Sequence, residues 1–490
     1  GVFRPGRNPT LPGIASMCSR RSRRDGAGRA DALRCVALLL PLLLAGCGSG
    51  GDGRAPRQDA TADLPLVLVS PGATVDLDVS RAEPEAAHEQ RIRVQLSADT
   101  HGLVVAGTRI QGTFAGIGAV RVTVTTEGGQ GAAVVRQFNI AAPAPDPGEP
   151  ELPAAAAVYE DFRLGMPRAY VESRRSGSPF WDTTPGSNPV TDAGAALGRV
   201  LFYDKRLSAT NTHSCGSCHQ QQHGFADPRP MSVGVTGEAT RRNAMALANV
   251  RYSLRNRFFA DGRVRTLEAL VLVPIQDPIE MGNTLPNLER KLRATAFYPP
   301  LFEKAFGTPG IDSDRISRAL AQFLRALVSY RAPVDAAYPD GGASQFPMPA
   351  RAFTARQNEG LRLLIEGNCL HCHVDRVLTM VDPSNNGLDL VSVDPGQGDG
   401  TFRAASLRNI ARTGPYMHDG RFRTLREVID HYDHDIKPAA ALSPLLRVRN
   451  GDAPRRLDMT EEQKQAMEAI LETFTDRAML EDPKFSDPFR

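Results

Sequence analysis

The 490-residue sequence predicts a mainly α protein with two related helical domains, preceded by a small all-β sandwich-like domain. Three observations carry this prediction. Residues 63–141 hold short β-rich runs separated by turn-forming residues; a Pro-rich stretch follows at 142–154; and from about 155 apolar residues recur at helical spacing around two copies of Cys-x-x-Cys-His. At ~100–200 residues per domain, two or three domains are expected. Hydrophobic residues make up 41% and charged residues 23%, which argues against extended disorder. The net charge of +3 gives no reason to expect nucleic acid as a partner. No apolar run reaches the ~20 residues of a spanning helix, which excludes a polytopic helical membrane protein.

The first 47 residues read as an address. Met17 reads as the start, with residues 1–16 upstream of it. Arg20, Arg21, Arg23 and Arg24 form a basic region, and 36–44 is an apolar core too short to span a membrane. It ends in Leu44-Ala45-Gly46-Cys47, which resembles the bacterial lipobox. That resemblance implies acylation of Cys47 and a lipid anchor on the periplasmic side of the outer membrane, since Gly48 rather than Asp follows. The alternative is ordinary signal cleavage, with Cys47 a bystander. Residues 48–62 are Gly-, Asp- and Arg-rich and read as a flexible tether.

Within 63–141 the β-rich runs are 66–69, 73–79, 91–96, 102–110 and 120–125, a spacing that suggests a β-sandwich. No catalytic constellation sits there. His88 and His101 read as isolated solvated residues, and the domain as a spacer or interaction module. The 142–154 stretch reads as a stiff, extended linker. Helices are then expected over 316–329, 356–365, 425–432 and 461–474, with long irregular stretches between them. Few strands and much irregular chain suit domains whose core is completed by a large cofactor.

The cofactor is indicated by Cys215-Gly216-Ser217-Cys218-His219 and Cys369-Leu370-His371-Cys372-His373, both of which fit the c-type haem attachment signature. Two thiols at this spacing can reach the two vinyl groups of one porphyrin, and the adjoining His can then ligate the iron. Structural zinc and a redox dithiol are the alternatives for paired cysteines, but neither requires a His after both pairs. Two covalently bound haem c groups are therefore expected, His219 and His373 being the proximal ligands. The motifs lie 154 residues apart, which gives one cytochrome c-like haem domain each, at 155–345 and 346–490.

From about Asn188 to His434 the sequence resembles the bacterial dihaem cytochrome c peroxidase/MauG family. The resemblance rests on an ordered set of motifs. They include Leu197-Gly198-Arg199 and Arg206-Leu207-Ser208 before the first haem motif, and Phe225-Ala226-Asp227, Arg242-Asn243, Asp261-Gly262-Arg263 and Pro278-Ile279-Glu280-Met281-Gly282 after it. Leu407-Arg408-Asn409-Ile410 and Thr413-Gly414-Pro415-Tyr416-Met417-His418-Asp419-Gly420 follow the second. The resemblance implies an enzyme that reduces hydrogen peroxide at the N-terminal haem. Electrons from an external donor, a small cytochrome or cupredoxin, would pass through the C-terminal haem. It implies that Glu280 is the distal acid–base residue, moving a proton between the peroxide oxygens. It further implies a calcium ion between the haems, held by the side chain of Asn243 and the carbonyls of Thr413 and Pro415. His418 matches an inter-haem residue, and relatives often form homodimers.

Four departures matter. Sixteen residues after His219, where many peroxidases carry a distal His, stands Val235, which cannot ligate iron, so the first site is expected open at rest. Fourteen residues after His418, where those peroxidases carry Met, stands Tyr432, the MauG-like arrangement. A phenolate there would stabilise ferric iron. Met417, His431 and His434 are the alternative sixth ligands of the second haem. The family's inter-haem Trp is Ala260, and its distal Gln is Leu270. His213 and His223 match no ligand and read as local hydrogen-bonding residues. Two rival readings follow: a MauG-like oxidase acting on a protein or small organic substrate, and a dihaem electron carrier without enzymatic activity.

Overall fold

The computed structural model describes residues 58–59, 66–82, 91–127, 133–153, 157–160, 165–167, 170, 182–252, 257–337, 348–373 and 383–489. The signal, Cys47, most of the tether, His88 and the chain's one Trp, Trp181, lie outside them.

Among the described residues, eight strands form two four-stranded sheets. One has the order β1 (Gln58–Asp59), β3 (Thr74–Asp78), β6 (Arg109–Thr113), β5 (Leu103–Ala106); the other has β2 (Leu66–Leu68), β8 (Val134–Ala142), β7 (Gly118–Glu127), β4 (Arg91–Leu96). Pairs β1–β3 and β2–β8 are parallel and the rest antiparallel. Val120, Val122 and Val124 alternate along β7 and point into one core with Leu77, Leu103, Ile110, Phe114 and Ile140. The sandwich is thus present, with three corrections. The run 102–110 is two strands hinged at Gly107, whose φ of 66° suits a residue without Cβ. Strand β8 was not among the expected runs. His101 is not simply solvated: its ring stacks on Phe114 at 5.0 Å, and Nδ1 lies 2.8 Å from the Ala115 carbonyl.

One end of β8 is buried on both faces. Ile140 and Ala142 enter the sandwich core, while Ala141, paired with Ala119 of β7, packs outward with Leu66 against Ala209 and Val235 of the helical part. Small residues here let the sheet approach closely. The 142–154 stretch is also no free spacer. Ala144 exchanges hydrogen bonds with Thr210 and Asn211, and Asp146 pairs with the buried Arg206.

The first helical domain is built on α1 (Asp192–Tyr203), α2 (Leu267–Gln276), α3 (Leu285–Arg293), α4 (Tyr298–Phe306) and α5 (Ser313–Ala326). Thr191 caps α1, Thr266 α2 and Asp312 α5, each side chain accepting a backbone N–H of the first turn. Helices α1 and α5 cross at Gly198, where a Cβ would overlap the Ala319 carbonyl. The second domain repeats the device. Its α6 (Ala355–Glu366) crosses α8 (Glu461–Glu472) at Gly360, where a Cβ would overlap the Ala466 carbonyl, and α7 (Leu425–Asp430) lies between them in sequence. In each domain the first helix of the crossing pair leads into a haem motif.

The domain division at 345/346 is not a single cut. The C-terminal tail returns to the first domain: Met479 and Phe485 join its core, Tyr203 donates to the Phe485 carbonyl at 2.7 Å, and Arg199 donates to the Ser486 carbonyl at 2.7 Å. Between the domains the fully buried Arg408 forms a bidentate pair with Asp335, both contacts at 2.7 Å.

Candidate active site

The first haem motif forms a single helical turn, Cys215–Cys218, ending at His219, whose N–H donates to the Cys215 carbonyl at 2.9 Å. The chain then turns through Gly224 and Phe225, both at positive φ, and this delivers the Phe225 carbonyl to His219 Nδ1 at 2.8 Å. A carbonyl can only accept, so the proton sits on Nδ1 and the Nε2 lone pair is left for a metal. Burial pushes the Cys215 thiol up to about 12 and raises that of Cys218. A redox dithiol needs the opposite shift. Zinc is disfavoured as well, because Cys215, Cys218 and His219 do not converge to ligand spacing.

These three residues line a largely apolar cavity, closed in part by Leu270, Val271 and Pro274 of α2 and by Glu280. A mostly apolar lining that includes both cysteines and the histidine fits a porphyrin attached through the two thiols. Glu280 sits on the turn after α2, where Asp277 Oδ1 accepts from the N–H groups of Ile279 (2.8 Å) and Glu280 (3.1 Å). Burial, reinforced by the Asp277 charge and opposed by Arg263, pushes its carboxyl up to about 7. A group poised near neutrality can both take and return a proton. Val235 points away from the cavity into the apolar contact with the β-sandwich. Leu270 gives the distal wall an apolar surface. His213, expected to be only a local hydrogen-bonding residue, is part of the wall; its Nδ1 lies 2.8 Å from Thr212 Oγ1, and burial holds it below the usual histidine range. Its position two residues before Cys215 was the available signal, but spacing alone does not say which way a side chain turns.

The second motif repeats the first. Cys369–Cys372 is one helical turn, His373 donates its N–H to the Cys369 carbonyl, and His373 Nδ1 lies 3.0 Å from the Ala405 carbonyl. After α7 the helix widens into a π turn over His431–Asp435, which carries Tyr432. Asn386 Nδ2 lies 3.4 Å from both the Tyr432 hydroxyl and Met417 Sδ, so these two candidate ligands share one amide. Burial, with the Cys372 and Cys369 sulfurs close by, pushes the Tyr432 phenol up to about 12. The other candidates are engaged elsewhere: His431 Nε2 with the Asn386 carbonyl at 3.1 Å, and His434 with Asp433 at 3.1 Å.

Between the motifs, Arg242 spans the two domains, binding Asp394 through two contacts of 2.7 Å and Asp261 at 2.6 Å. Its guanidinium lies over Phe402, which stacks on His418 at 4.1 Å. Burial keeps His418 below the usual histidine range. Ala260, in place of Trp, accepts the Arg403 N–H at 2.8 Å. Asn243 donates its backbone N–H to the His418 carbonyl, and its Nδ2 is held by the carbonyls of Arg229 and Pro230, turning Oδ1 away from them. That arrangement leaves an amide oxygen available to a hard cation, and the Thr413 methyl packs beside Gly224 without engaging the Thr413 carbonyl. Among the described residues the one cluster of carboxylates with a His, Asp430, Asp433 and His434, is filled by the Lys464 ammonium at 2.7 and 2.9 Å.

Comparison with known proteins agrees with this geometry. Residues 192–342 match the family model described as di-haem cytochrome c peroxidase. The methylamine utilization protein MauG of Methylophilus methylotrophus is 33% identical over 269 residues, covering 53% of this chain and 78% of that protein. The cytochrome c551 peroxidase of Pseudomonas aeruginosa is 30% identical over 258 residues, 49% of this chain and 72% of that one. A crystal structure of a MauG-like protein associated with microbial copper homeostasis superposes with a TM-score of 0.54 at 33% identity, covering 62% of this chain and 96% of that one. Two haem motifs in matching folds, joined to relatives of this identity and coverage, make the chain a member of the dihaem cytochrome c peroxidase/MauG family, peroxide-using oxidoreductases with two c-type haems.

Proposed function

We propose that the chain reduces hydrogen peroxide at the His219 haem, with electrons from an external donor entering through the His373 haem. The observation that carries this reading is Glu280, a partly buried carboxyl near neutrality on the wall of the cavity that Cys215, Cys218 and His219 also line. When bound, the haem supplies the iron that binds peroxide and the electrons that reduce it. His219, fixed by the Phe225 carbonyl, presents Nε2 as the proximal ligand. The Glu280 carboxylate takes a proton from the inner peroxide oxygen and delivers it to the outer one, which leaves as water. Leu270 and Val271 exclude bulk water from that transfer. Val235 leaves the distal side without a capping ligand, so peroxide should react without prior reduction.

Tyr432 is the proposed sixth ligand of the second haem. Its hydroxyl lies near the second cysteine pair, and iron would have to displace its proton. This arrangement favours a second reading, a MauG-like oxidase whose electrons come from a protein or small organic substrate. Asn243, Thr413 and Pro415 are the proposed calcium ligands, and Cys47 the proposed lipid attachment, which would put the enzyme on the periplasmic side of the outer membrane. The deciding experiment is peroxide consumption by wild-type and Glu280→Gln holoprotein with reduced cytochrome c as donor. Turnover that depends on Glu280 supports the peroxidase; unchanged turnover in the variant removes Glu280 from the mechanism. Peroxide consumption with no oxidation of cytochrome c would favour the oxidase.

A further inference from the structure

The β-sandwich has no part in the reaction as described, yet it rests on the loops that build the distal wall. Residues 232–240 form a small hairpin, bridged at Val233 and Ala239 and closed by Thr240 N–H to the Ser232 carbonyl at 2.8 Å. Ser232, Val233, Gly234 and Thr240 face the haem cavity, while Val235 faces the sandwich. Behind the hairpin lies the Asp277–Gly282 turn that carries Glu280. The two are locked together: Val235 N–H donates to the Glu280 carbonyl at 3.1 Å, and a Cβ on Gly234 would overlap the Ile279 carbonyl.

One cross-strand pair of the sandwich holds both loops. Arg121 of β7 and Asn139 of β8 are register partners and share the outward face with Ala119 and Ala141. Arg121 binds Glu238 of the hairpin through two contacts, 2.5 and 2.8 Å, with both side chains mostly buried. Asn139 Nδ2 donates to the Pro278 carbonyl at 2.9 Å, two residues from Glu280. Gly282 ends the turn at φ 58°, and a Cβ there would overlap Asn139 Nδ2. Beneath them the apolar contact of Leu66, Ala119 and Ala141 with Ala209 and Val235 excludes water. A bidentate guanidinium–carboxylate pair at a dry boundary fixes orientation as well as distance.

We propose that the β-sandwich is a positioning domain for Glu280, with Arg121 and Asn139 as positioning residues that hold the 232–240 hairpin and the 277–282 turn in the geometry proton transfer requires. Val235 thereby has a use of its own: the position that carries a capping ligand in many peroxidases serves here as the seat of an added domain. The proposal rests on the acid–base reading of Glu280, and its test separates the two.

The test uses full-length holoprotein and the variants Arg121→Ala, Asn139→Ala, Glu238→Gln and the reversed pair Arg121→Glu with Glu238→Arg. Amide hydrogen exchange of 233–240 and 278–283 should rise roughly tenfold or more in the single variants, with β7–β8 amides unchanged. The rate of the ferric protein with peroxide should fall about tenfold, because small misplacements of a catalytic group are costly. Its acid limb should move below the wild-type value as Glu280 gains water, and the reversed pair should restore both. Unchanged exchange and an unchanged limb in the folded variants would overturn the proposal. Should Arg121→Ala unfold the sandwich, Glu238→Gln, on the haem side, carries the same test. A Glu280→Gln protein that keeps the acid limb would sink the acid–base reading instead, while the exchange measurement would still decide whether the sandwich clamps the loops.

Discussion

The pH dependence of the peroxide reaction is the sharpest consequence of the structure. Glu280 must be a carboxylate to accept the first proton, and its carboxyl is moved from an ordinary 4.5 to about 7 by burial and by Asp277. At pH 6 roughly one tenth of the protein would carry the carboxylate, and at pH 8 about nine tenths. The second-order rate of the ferric protein with peroxide should therefore climb about tenfold between these values. An unshifted Glu would be ionised throughout and give a flat profile. Stopped-flow mixing followed at the Soret band measures this rate. Glu280→Gln should flatten the profile and lower its plateau by about 10²–10⁴. Asp277→Asn, which keeps an oxygen to cap Ile279 and Glu280, should move the limb to lower pH. A flat wild-type profile, or a limb that survives in Glu280→Gln, would refute the assignment. The same shift acts on stability. The folded state holds the Glu280 proton to higher pH than the unfolded chain does, so its contribution is full below about 4.5 and is lost as pH rises through about 7. Above that the partly buried carboxylate costs the fold roughly 3 kcal/mol. Glu280→Gln should accordingly gain more in Tm at pH 8 than at pH 5.

Further predictions concern the rest of the molecule. Tyr432→Met should raise the midpoint potential of the second haem by on the order of 100 mV in a potentiometric titration; if Met417→Leu shifts it and Tyr432→Met does not, Met417 is the ligand. The as-isolated ferric protein should show a high-spin beside a low-spin EPR signal, because Val235 is committed to the sandwich contact; two low-spin signals would mean that another residue caps the first iron. Asp335→Asn removes the carboxylate charge facing the buried Arg408 guanidinium and should cost about 3–5 kcal/mol in denaturant unfolding, whereas Asp335→Leu with Arg408→Met should cost much less. Gly360→Ala should lose about 1–3 kcal/mol at the α6–α8 crossing, and an unchanged Tm would mean that the helices can part without penalty.

Chemistry that is local in the chain could be read without the fold. Cys-x-x-Cys-His places two thiols and an imidazole within one helical turn, so both attachment sites were legible as strings, and the order of motifs around them named the family. Alternating Val120, Val122 and Val124 and the apolar spacing of α5 were legible for the same reason, since each pattern repeats within a few residues. The remaining features depend on contacts between residues far apart in sequence. Strand β8 escaped notice because one end is buried on both faces, so Asn139-Ile140-Ala141-Ala142 lacks the polar–apolar alternation of a one-faced strand. The return of Phe485 to the first domain and the presence of His213 in the cavity wall are likewise settled by packing. The role of Val235 is the clearest case. Read along the chain it was a lost ligand; in the folded molecule it is an apolar contact beneath Arg121 and Asn139. A pattern records which side chain stands at a position, but the direction it faces is set by the neighbour that buries it, and here that neighbour lies more than ninety residues away in sequence.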